Sequence, residues 1–435
     1  MFGLFLRNQL EGNIAVGASM KYDVFFSISQ TPVDGYMPDE VTMYNNFFSQ
    51  LRLADELGYE IAWLAQAHLS TEVQKRNKNP VVPYFQGEVG LCTDFFQLAA
   101  QVFAKTKKIE VGSAVISILV QGGPIAMAER VGNFCALHGI DPEEKRKIHL
   151  GFAAGRFEFM ARPYGFFPRD PVEEATWPAL KGQIFMEAAG IFLRLLRGDI
   201  LSAEDTYQTI FTRANFRSDE DWKTVQQAAH EHYGLPEEAS EIPIAKRYDF
   251  EALKIIPQEW RRELLSLVVG SHDPRAQKYC NQFMPTKVFN LSITNPETIN
   301  ATHERMNDWY HEAGGEWKRE YMPRTVMVFL NDEEGKSEQE KNEAAQQLAK
   351  KSLSAYWTAL QGTLDLTKVS QAANNALVGS PETIAQTIVQ RFHPDEKLML
   401  WFDFFNHDSA YVCSMMDAFM KKVAPRVEEL LEKGS

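Results

Sequence analysis

The 435-residue sequence has only four cysteines, and no two of them are close in the chain. Cys92, Cys135, Cys280 and Cys413 are far apart, and no CxxC spacing occurs. This usage fits reduced thiols in a cytoplasmic protein better than a disulfide scaffold. We expect the cysteines to behave as buried small apolar residues.

Long apolar runs and an excess of basic charge are also absent. No segment approaches the ~20 apolar residues of a membrane helix, and the longest candidate, VGSAVISILV, has the length of a strand. The formal net charge is -13, which on average repels phosphate backbones and anionic lipids. Neither nucleic acid nor a membrane is expected as a partner. Residues 1–19 carry no basic segment typical of a secretory signal and are interpreted as a leader or flexible N-terminal arm.

Several catalytic and nucleotide-binding motifs are missing as well. The chain has no GxGxxG after a strand, no GxxxxGK[ST], no GxSxG and no HExxH. A built-in dinucleotide site, a P-loop, a serine hydrolase elbow and a zincin are therefore disfavoured. His230, Glu231 and His232 form a short HEH sequence, but residues two apart on a helix do not share a face. We interpret it as solvated surface and predict no metal site.

What the sequence does contain is eight short β-type runs separated by segments of helical period. Alternating β and α units of this number predict an α/β fold, a single (β/α)8 TIM barrel spanning 20–435. The predicted strands are 22–28, 60–66, 109–118, 147–155, 264–271, 287–293, 325–331 and 397–404.

The fourth and fifth predicted strands are unusually far apart. The fourth ends at 155 and the fifth begins at 264, whereas one barrel unit takes ~30 residues. A long helical segment is followed by a polar stretch at about 200–258, which we interpret as an insertion between strands 4 and 5. Long insertions in compact domains are often lids or binding loops, so a lid is expected.

In a parallel barrel the chemistry lies at the carboxyl ends of the strands. Acids are scarce there, with Asp403 nearly alone, which argues against a glycosidase or a metal-dependent hydrolase. Small residues occur instead, together with the VVGSHDP sequence, in which Ser271 could help to bind a phosphate. The alternative is that Ser271 or Asp273 only caps the following helix. The residues at or near the strand ends are Ser27, Gln30, His68, Ser117, Ala153, Arg156, Ser271, Thr294, Asn331 and Asp403.

Five segments in register resemble the bacterial luciferase-like monooxygenases, a flavin-dependent (β/α)8 family that includes the luciferase α chain. AWLAQAHLS is similar to the family's W-L-x-E-H-H-F strand end, and VGSAVISILVQGGPIAMAERV to its V-G-[ST]-A-V stretch. LGFAAGRFEFMARPYGF is similar to its G-x-x-x-G segment. The sequences FNLSITNPETINATHERMNDWYHEAG and ALVGSPETIAQTIVQRF resemble the later barrel units.

The resemblance implies reduced FMN, or deazaflavin F420 in one branch, bound across the barrel mouth. FMN members usually receive reduced flavin from a separate flavin reductase and use oxygen to form a C4a-peroxyflavin that oxidises a small substrate. The family also implies a homodimer. The missing nicotinamide motif agrees with such a two-component scheme.

Site residues follow from the resemblance by position. Ala114 and Val115 would flank a non-prolyl cis peptide beneath the flavin ring. Gly270, Ser271 and His272 would hold the phosphate, with Arg162 near that side.

The sequence departs from the family pattern at several of these positions. Gln66 replaces the family's glutamate and Ala67 its first histidine, so only His68 matches; His68 is a catalytic candidate or a structural, pocket-lining histidine. Ala153 and Ala154 stand where luciferase has its reactive cysteine and a phosphate-binding arginine. Arg156, two residues further along, could substitute or could form a surface salt bridge.

The resulting hypothesis is an FMN-dependent monooxygenase acting on a small apolar substrate. Its predicted substrate-pocket residues are Gln30, Gln66, Ser117 and Asp403. An F420-dependent oxidoreductase is the first alternative, because hydride transfer does not require the missing histidine. A flavin-binding barrel without catalysis is the second.

Overall fold

The computed structural model describes residues 20–30, 32–67, 88, 90–155, 158–359 and 374–434. Within them a curled parallel sheet is surrounded by helices, and the chain folds as a (β/α)8 barrel. The strands are β1 (Lys21–Phe26), β2 (Ile61–Leu64), β3 (Glu110–Ser117), β4 (Ile148–Ala153), β5 (Ile210–Phe211), β6 (Ile242–Pro243), β7 (Leu265–Val269), β8 (Thr286–Val288), β9 (Arg324–Leu330), β10 (Leu377–Gly379) and β11 (Lys397–Trp401).

Eight of these strands form the barrel wall, in the order β9-β11-β1-β2-β3-β4-β7-β8. A parallel bridge between Asn290 and Arg324 joins the end of β8 to the start of β9 and closes the ring. All eight predicted strands are confirmed. The three-residue β10 extends the sheet beside the upper half of β9, and β5 and β6 form a separate antiparallel pair.

The helices follow the strands around the outside, and side-chain caps begin many of them. They are α1 (Glu40–Leu57), α2 (Phe95–Lys105), α3 (Gly123–His138), α4 (Glu158–Ala161), α5 (Pro171–Arg197), α6 (Asp219–Tyr233), α7 (Pro274–Cys280), α8 (Pro296–Trp309), α9 (Glu338–Ala359), α10 (Pro381–Arg391), α11 (Ser409–Ala418) and α12 (Ala424–Gly434). Asp170, for example, accepts hydrogen bonds from the N–H groups of Val172 and Glu173 at the start of α5, as N-cap residues do.

The barrel interior is packed by large side chains that point inward from alternate positions of the strands. Phe25, Trp63, Val268, Phe289 and Met399 form one buried cluster there. A second, larger cluster fills the space between the strands and the helices. The barrel is therefore solid below its carboxyl mouth.

The segment at 200–258 lies between β4 and β7 in the chain and contains β5, α6 and β6. It packs against the outer helices: a side chain added at Gly132 of α3 would lie 3.2 Å from Ile255, and α6 contacts α5. Leu201 pairs with Leu253 at the base of the segment. Its predicted role as a lid stays a prediction.

The cysteines are mostly buried, as the sequence predicts. Cys92, Cys135 and Cys280 are buried and Cys413 is half-buried, and burial raises the pKa of each of the first three thiols to about 12. The HEH sequence is exposed on α6, as expected. Across the described part of the chain, no cluster of potential metal ligands occurs, and no helix there has the length and apolarity needed to cross a membrane.

Candidate functional site

A cavity of about 750 Å³ opens at the carboxyl ends of β3, β4 and β7. This is the face of a parallel barrel on which binding sites are found. Its described lining is predominantly apolar and includes seven predicted site residues: Gln66, Ala114, Val115, Ser117, Gly270, Ser271 and His272.

The floor of the cavity is made of small residues at the strand ends. Ala114, Ala153 and Gly270 come from β3, β4 and the residue after β7, and all three line the cavity. The peptide bond between Ala114 and Val115 is cis, as the resemblance implied. A Cβ atom at Gly270 would lie 3.4 Å from the side chains of Ala153 and Val115 and would reduce the free volume of the cavity.

A polar group of residues follows β7. Asp273 is the N-cap of α7, accepting from the Arg275 N–H, and its carboxylate also pairs with the Arg275 guanidinium at 2.9 Å. The capping alternative is thereby confirmed for Asp273. Ser271 lines the cavity, and its hydroxyl oxygen accepts from the Asp273 N–H at 3.3 Å.

His272 lines the cavity beside Ser271. Its Nε2 lies 3.4 Å from the Thr294 hydroxyl, while Nδ1 is buried with no hydrogen-bond partner among the described residues. Burial, and secondly the charge of Arg305, lower the pKa of His272 below its ordinary value of 6.5. The ring is therefore neutral at pH 7, with one nitrogen available as a donor and the other as an acceptor.

Gln66 contributes a second unsatisfied polar atom from the end of β2. Its side-chain nitrogen donates to the Thr93 carbonyl oxygen at 3.4 Å. Its Oε1 is buried, and no described residue donates to it. Buried polar atoms are nearly always hydrogen-bonded in folded proteins, and both of these atoms belong to residues that line the cavity.

One wall of the cavity is a face of α5, which the sequence analysis did not assign to the site. Trp177, Lys181, Ile184 and Phe185 line it, at the i, i+4, i+7 and i+8 spacing of a single helical face. Lys181 is the only lysine or arginine among the described lining residues. This spacing in EEATWPALKGQIF was visible in the sequence, but an ordinary core-facing helix has the same pattern.

Two predicted pocket residues are placed away from the described lining. The Gln30 side chain donates to the Pro38 carbonyl oxygen at 3.0 Å and accepts from the Glu88 N–H, also at 3.0 Å. Asp403 accepts from both the N–H and the hydroxyl of Ser27, at 3.0 and 2.9 Å. Both side chains hold loops of the barrel mouth together.

Of the three remaining predicted site residues, the structure describes only Arg162. Arg162 is exposed, and its guanidinium lies 5.3 Å from the centre of the Phe167 ring. It is next to the lining residue Ala161 in the chain without lining the cavity itself. His68 and Arg156 lie outside the described residues, as does the segment 1–19.

Comparisons with known proteins agree with this architecture. No family model matches the sequence, and no curated protein sequence matches it. Among solved structures, the monooxygenase RslO1 from Streptomyces bottropensis has a TM-score of 0.61 at 15% sequence identity, covering 93% of this chain and 99% of that one.

Two further structures of similar fold carry different cofactors. The oxygenating constituent of 3,6-diketocamphane monooxygenase from Pseudomonas putida, a type II Baeyer-Villiger monooxygenase in complex with FMN, has a TM-score of 0.53 at 12% identity, covering 94% and 99% of the two chains. An F420-dependent secondary alcohol dehydrogenase in complex with an F420-acetone adduct has a TM-score of 0.53 at 11% identity, with the same coverage. At these identities the matches establish a shared fold.

Proposed function

We propose that the protein is a flavin-dependent oxidoreductase, and more specifically a monooxygenase that uses reduced FMN from a separate reductase and oxygen to oxidise a small apolar substrate. The observation that carries the proposal is the cavity itself. Its floor of small residues from β3, β4 and the position after β7 can accept a flat ring system, and two buried polar atoms at its edge have no hydrogen-bond partner among the described residues.

The residues present fit a flavin. Ala114, Val115 and Gly270 would contact the face of the ring, because none of them has a side chain long enough to fill the cavity. The Gln66 Oε1 would accept a hydrogen bond from a ring N–H. Ser271 and the neutral His272 would donate to phosphate oxygens, with Arg156 and Arg162 as further candidates from the resemblance.

A bound flavin would supply the redox chemistry, passing electrons to oxygen or to the substrate. The protein would orient the ring on its floor of small residues. The apolar walls, including Ile184 and Phe185, would keep water from the reacting atoms. Lys181 would add one positive charge to an otherwise apolar wall.

An F420-dependent oxidoreductase is the second candidate. Ala67 stands where the family has a histidine, and hydride transfer does not require that group. The shared fold with the F420-dependent secondary alcohol dehydrogenase is compatible with this alternative. Its cofactor would use the same cavity.

Anaerobic titration of the protein with reduced FMN and with reduced F420 tests the proposal, followed by addition of oxygen. Saturable binding of FMN, followed after the addition of oxygen by transfer of one oxygen atom to an added apolar substrate, supports the monooxygenase. Binding of F420 alone supports the second candidate, and binding without any reaction supports a non-catalytic barrel. The absence of binding by either cofactor contradicts the proposal.

Filling the floor of the cavity should weaken flavin binding without unfolding the barrel. Ala153→Leu places three additional carbon atoms where the ring would lie, so we expect at least a ~10-fold weaker dissociation constant for FMN, or ~1.4 kcal/mol. Ala104→Leu, on the exposed face of α2, is the matched control. Fluorescence titration measures the affinity and thermal unfolding reports the fold; unchanged affinity in Ala153→Leu would show that the flavin binds elsewhere.

A further inference from the structure

The aromatic end of the cavity is held in place by a buried arginine from the insertion at 200–258. Arg247 is only 6% exposed at its side chain. Its guanidinium donates to the carbonyl oxygens of Gly165 and Phe167, at 3.2 and 3.0 Å. These two carbonyls flank Phe166, which lines the cavity.

The same guanidinium also contacts a second aromatic side chain of the lining, Trp177. Its central carbon lies 5.6 Å from the centre of the Trp177 ring, and Trp177 lines the cavity. Arg247 therefore joins two lining aromatics that are separated in the chain. The neighbouring Tyr248 packs its ring against Phe166, with centroids 6.4 Å apart.

A buried ion pair fixes Arg247 in this position. The carboxylate of Glu173 is fully buried and lies 2.6 Å from the Arg247 guanidinium. Glu173 also accepts from the Arg169 side chain at 2.8 Å and from the Arg169 N–H at 2.8 Å. Because hydrogen-bonded charge pairs in buried positions have defined geometry, Phe166 and Trp177 are presented as fixed flat surfaces.

Fixed aromatic surfaces suit one class of ligand. Aromatic rings gain free energy from one another beyond the area they bury, provided that their relative orientation is set. Phe185 and Phe289 add two more rings to the lining. An aliphatic chain would gain only from buried area, for which rigid rings are not required.

We propose that the substrate of this site is aromatic, that its ring packs against Phe166 and Trp177, and that Arg247 is the positioning residue that sets these two side chains. The proposal rests on the function proposed above, since it names the substrate class of the same cavity. It also assigns a task to Arg247 and Tyr248 of the insertion.

The test compares 2-naphthol with 1-decanol, which contain the same numbers of carbon and oxygen atoms. Calorimetric titration of FMN-saturated protein gives the ratio of the two dissociation constants. We expect Trp177→Leu and Arg247→Met each to reduce the preference for 2-naphthol by about 3- to 10-fold. A general change in the cavity would alter both dissociation constants alike and leave their ratio unchanged.

Arg262→Met is the matched control. Like Arg247, Arg262 lies over a tryptophan, with its central carbon 4.6 Å from the Trp260 ring centre, and donates to a backbone carbonyl oxygen, here that of Leu196. Neither Arg262 nor Trp260 lines the cavity. Its ratio should remain that of the wild type. Arg247→Met leaves Glu173 paired with Arg169, so the variant is expected to fold, and thermal unfolding checks this.

An unchanged ratio in folded Trp177→Leu and Arg247→Met, or an equal loss in Arg262→Met, would overturn the proposal. FMN binding is measured first in every protein. If the wild type does not bind FMN, the proposed function fails on that measurement. The ratio can then still be determined without flavin, where it tests the aromatic preference by itself.

Discussion

Trp63 shows how a single residue shapes the interior of the barrel. Its indole is buried, donates to the Asp23 carboxylate at 2.8 Å, and packs against Phe289 with ring centroids 5.7 Å apart. Space for it exists only because the facing residue on β3 is Gly112, where an added Cβ would lie 2.5 Å from the indole ring. Gly112 therefore lets β3 pack closely against Trp63, and the same strand supplies Ala114, two residues later, to the floor of the cavity.

Gly112→Ala should destabilise the protein. Its methyl group would overlap a rigid ring enclosed by other side chains, and such overpacking costs typically about 1–3 kcal/mol. Gly182→Ala is the control, since a Cβ there meets nothing within 4 Å and alanine is favoured in a helix by about 1 kcal/mol. Urea unfolding should show opposite signs for the two variants; equal stabilities would contradict the packing described for Trp63.

Asp23 is the second residue whose environment has a measurable consequence. Burial raises its pKa to about 6, against the opposing effects of Lys397, 3.6 Å away, and of the Trp63 N–H. A carboxyl whose folded pKa is raised contributes stability below its unfolded pKa of 3.8 and loses it as pH rises toward 6. The loss is on the order of 2–3 kcal/mol.

Asp23→Asn should remove this pH dependence. Relative to the wild type, the variant should gain about 2–3 kcal/mol in unfolding free energy between pH 4 and pH 7. Asp249→Asn, at an exposed position, should show no such gain. Urea unfolding at several pH values measures both; parallel curves for Asp23→Asn and the wild type would contradict a buried carboxyl whose pKa is raised in the folded protein.

At the level of elements, α5 joins the site to the insertion. Its inner face lines the cavity, and its N-cap Asp170 also accepts from the Tyr233 hydroxyl of α6 at 2.8 Å. The same carboxylate thus caps α5 and binds α6. The segment at 200–258 thus contacts the walls of the cavity through α6 and through Arg247.

Asp170→Ala should cost more stability than the loss of an ordinary cap. Removing an N-cap costs typically about 1 kcal/mol, and the Tyr233 hydroxyl would lose its partner as well. We therefore expect about 2 kcal/mol in urea unfolding, compared with about 1 kcal/mol for Ser218→Ala, whose side chain caps α6 through one hydrogen bond. Equal losses in the two variants would show that the Tyr233 contact contributes nothing.

The sequence predicted the barrel strands well because each is a buried apolar run. It missed β10, which has three residues, and the pair β5 and β6, which have two each, because such short segments carry no periodicity. Small residues near the strand ends could be read from the sequence, but the floor residues Ala114, Val115 and Gly270 were predicted from the family resemblance. The α5 wall was not, because a helix face packed on a core and one lining a cavity have the same spacing.

Gln30 and Asp403 illustrate a different limit. Both are polar residues near strand ends, so position alone suggested a pocket. Asp403 is satisfied by Ser27, a residue 376 positions away in the chain, and Gln30 by the backbone of Pro38 and Glu88. Such long-range partners cannot be read from a local pattern.

At the scale of the whole molecule, the barrel mouth is asymmetric. Ala114 within β3, Ala153 at the end of β4 and Gly270 just after β7 lie on the side of the cavity, whereas Phe329, Trp401 and Phe404 pack together at the ends of β9 and β11. The described cavity therefore lies on one side of the mouth. The homodimer, the reductase partner and the lid stay predictions.

A crystal structure of the protein grown with FMN would show whether the cavity beside β3, β4 and β7 holds the flavin. We expect flavin density there, with the ring against Ala114, Val115 and Gly270 and hydrogen bonds to Gln66 and His272. Flavin density at another place on the molecule, or an unoccupied cavity at saturating FMN, would contradict it.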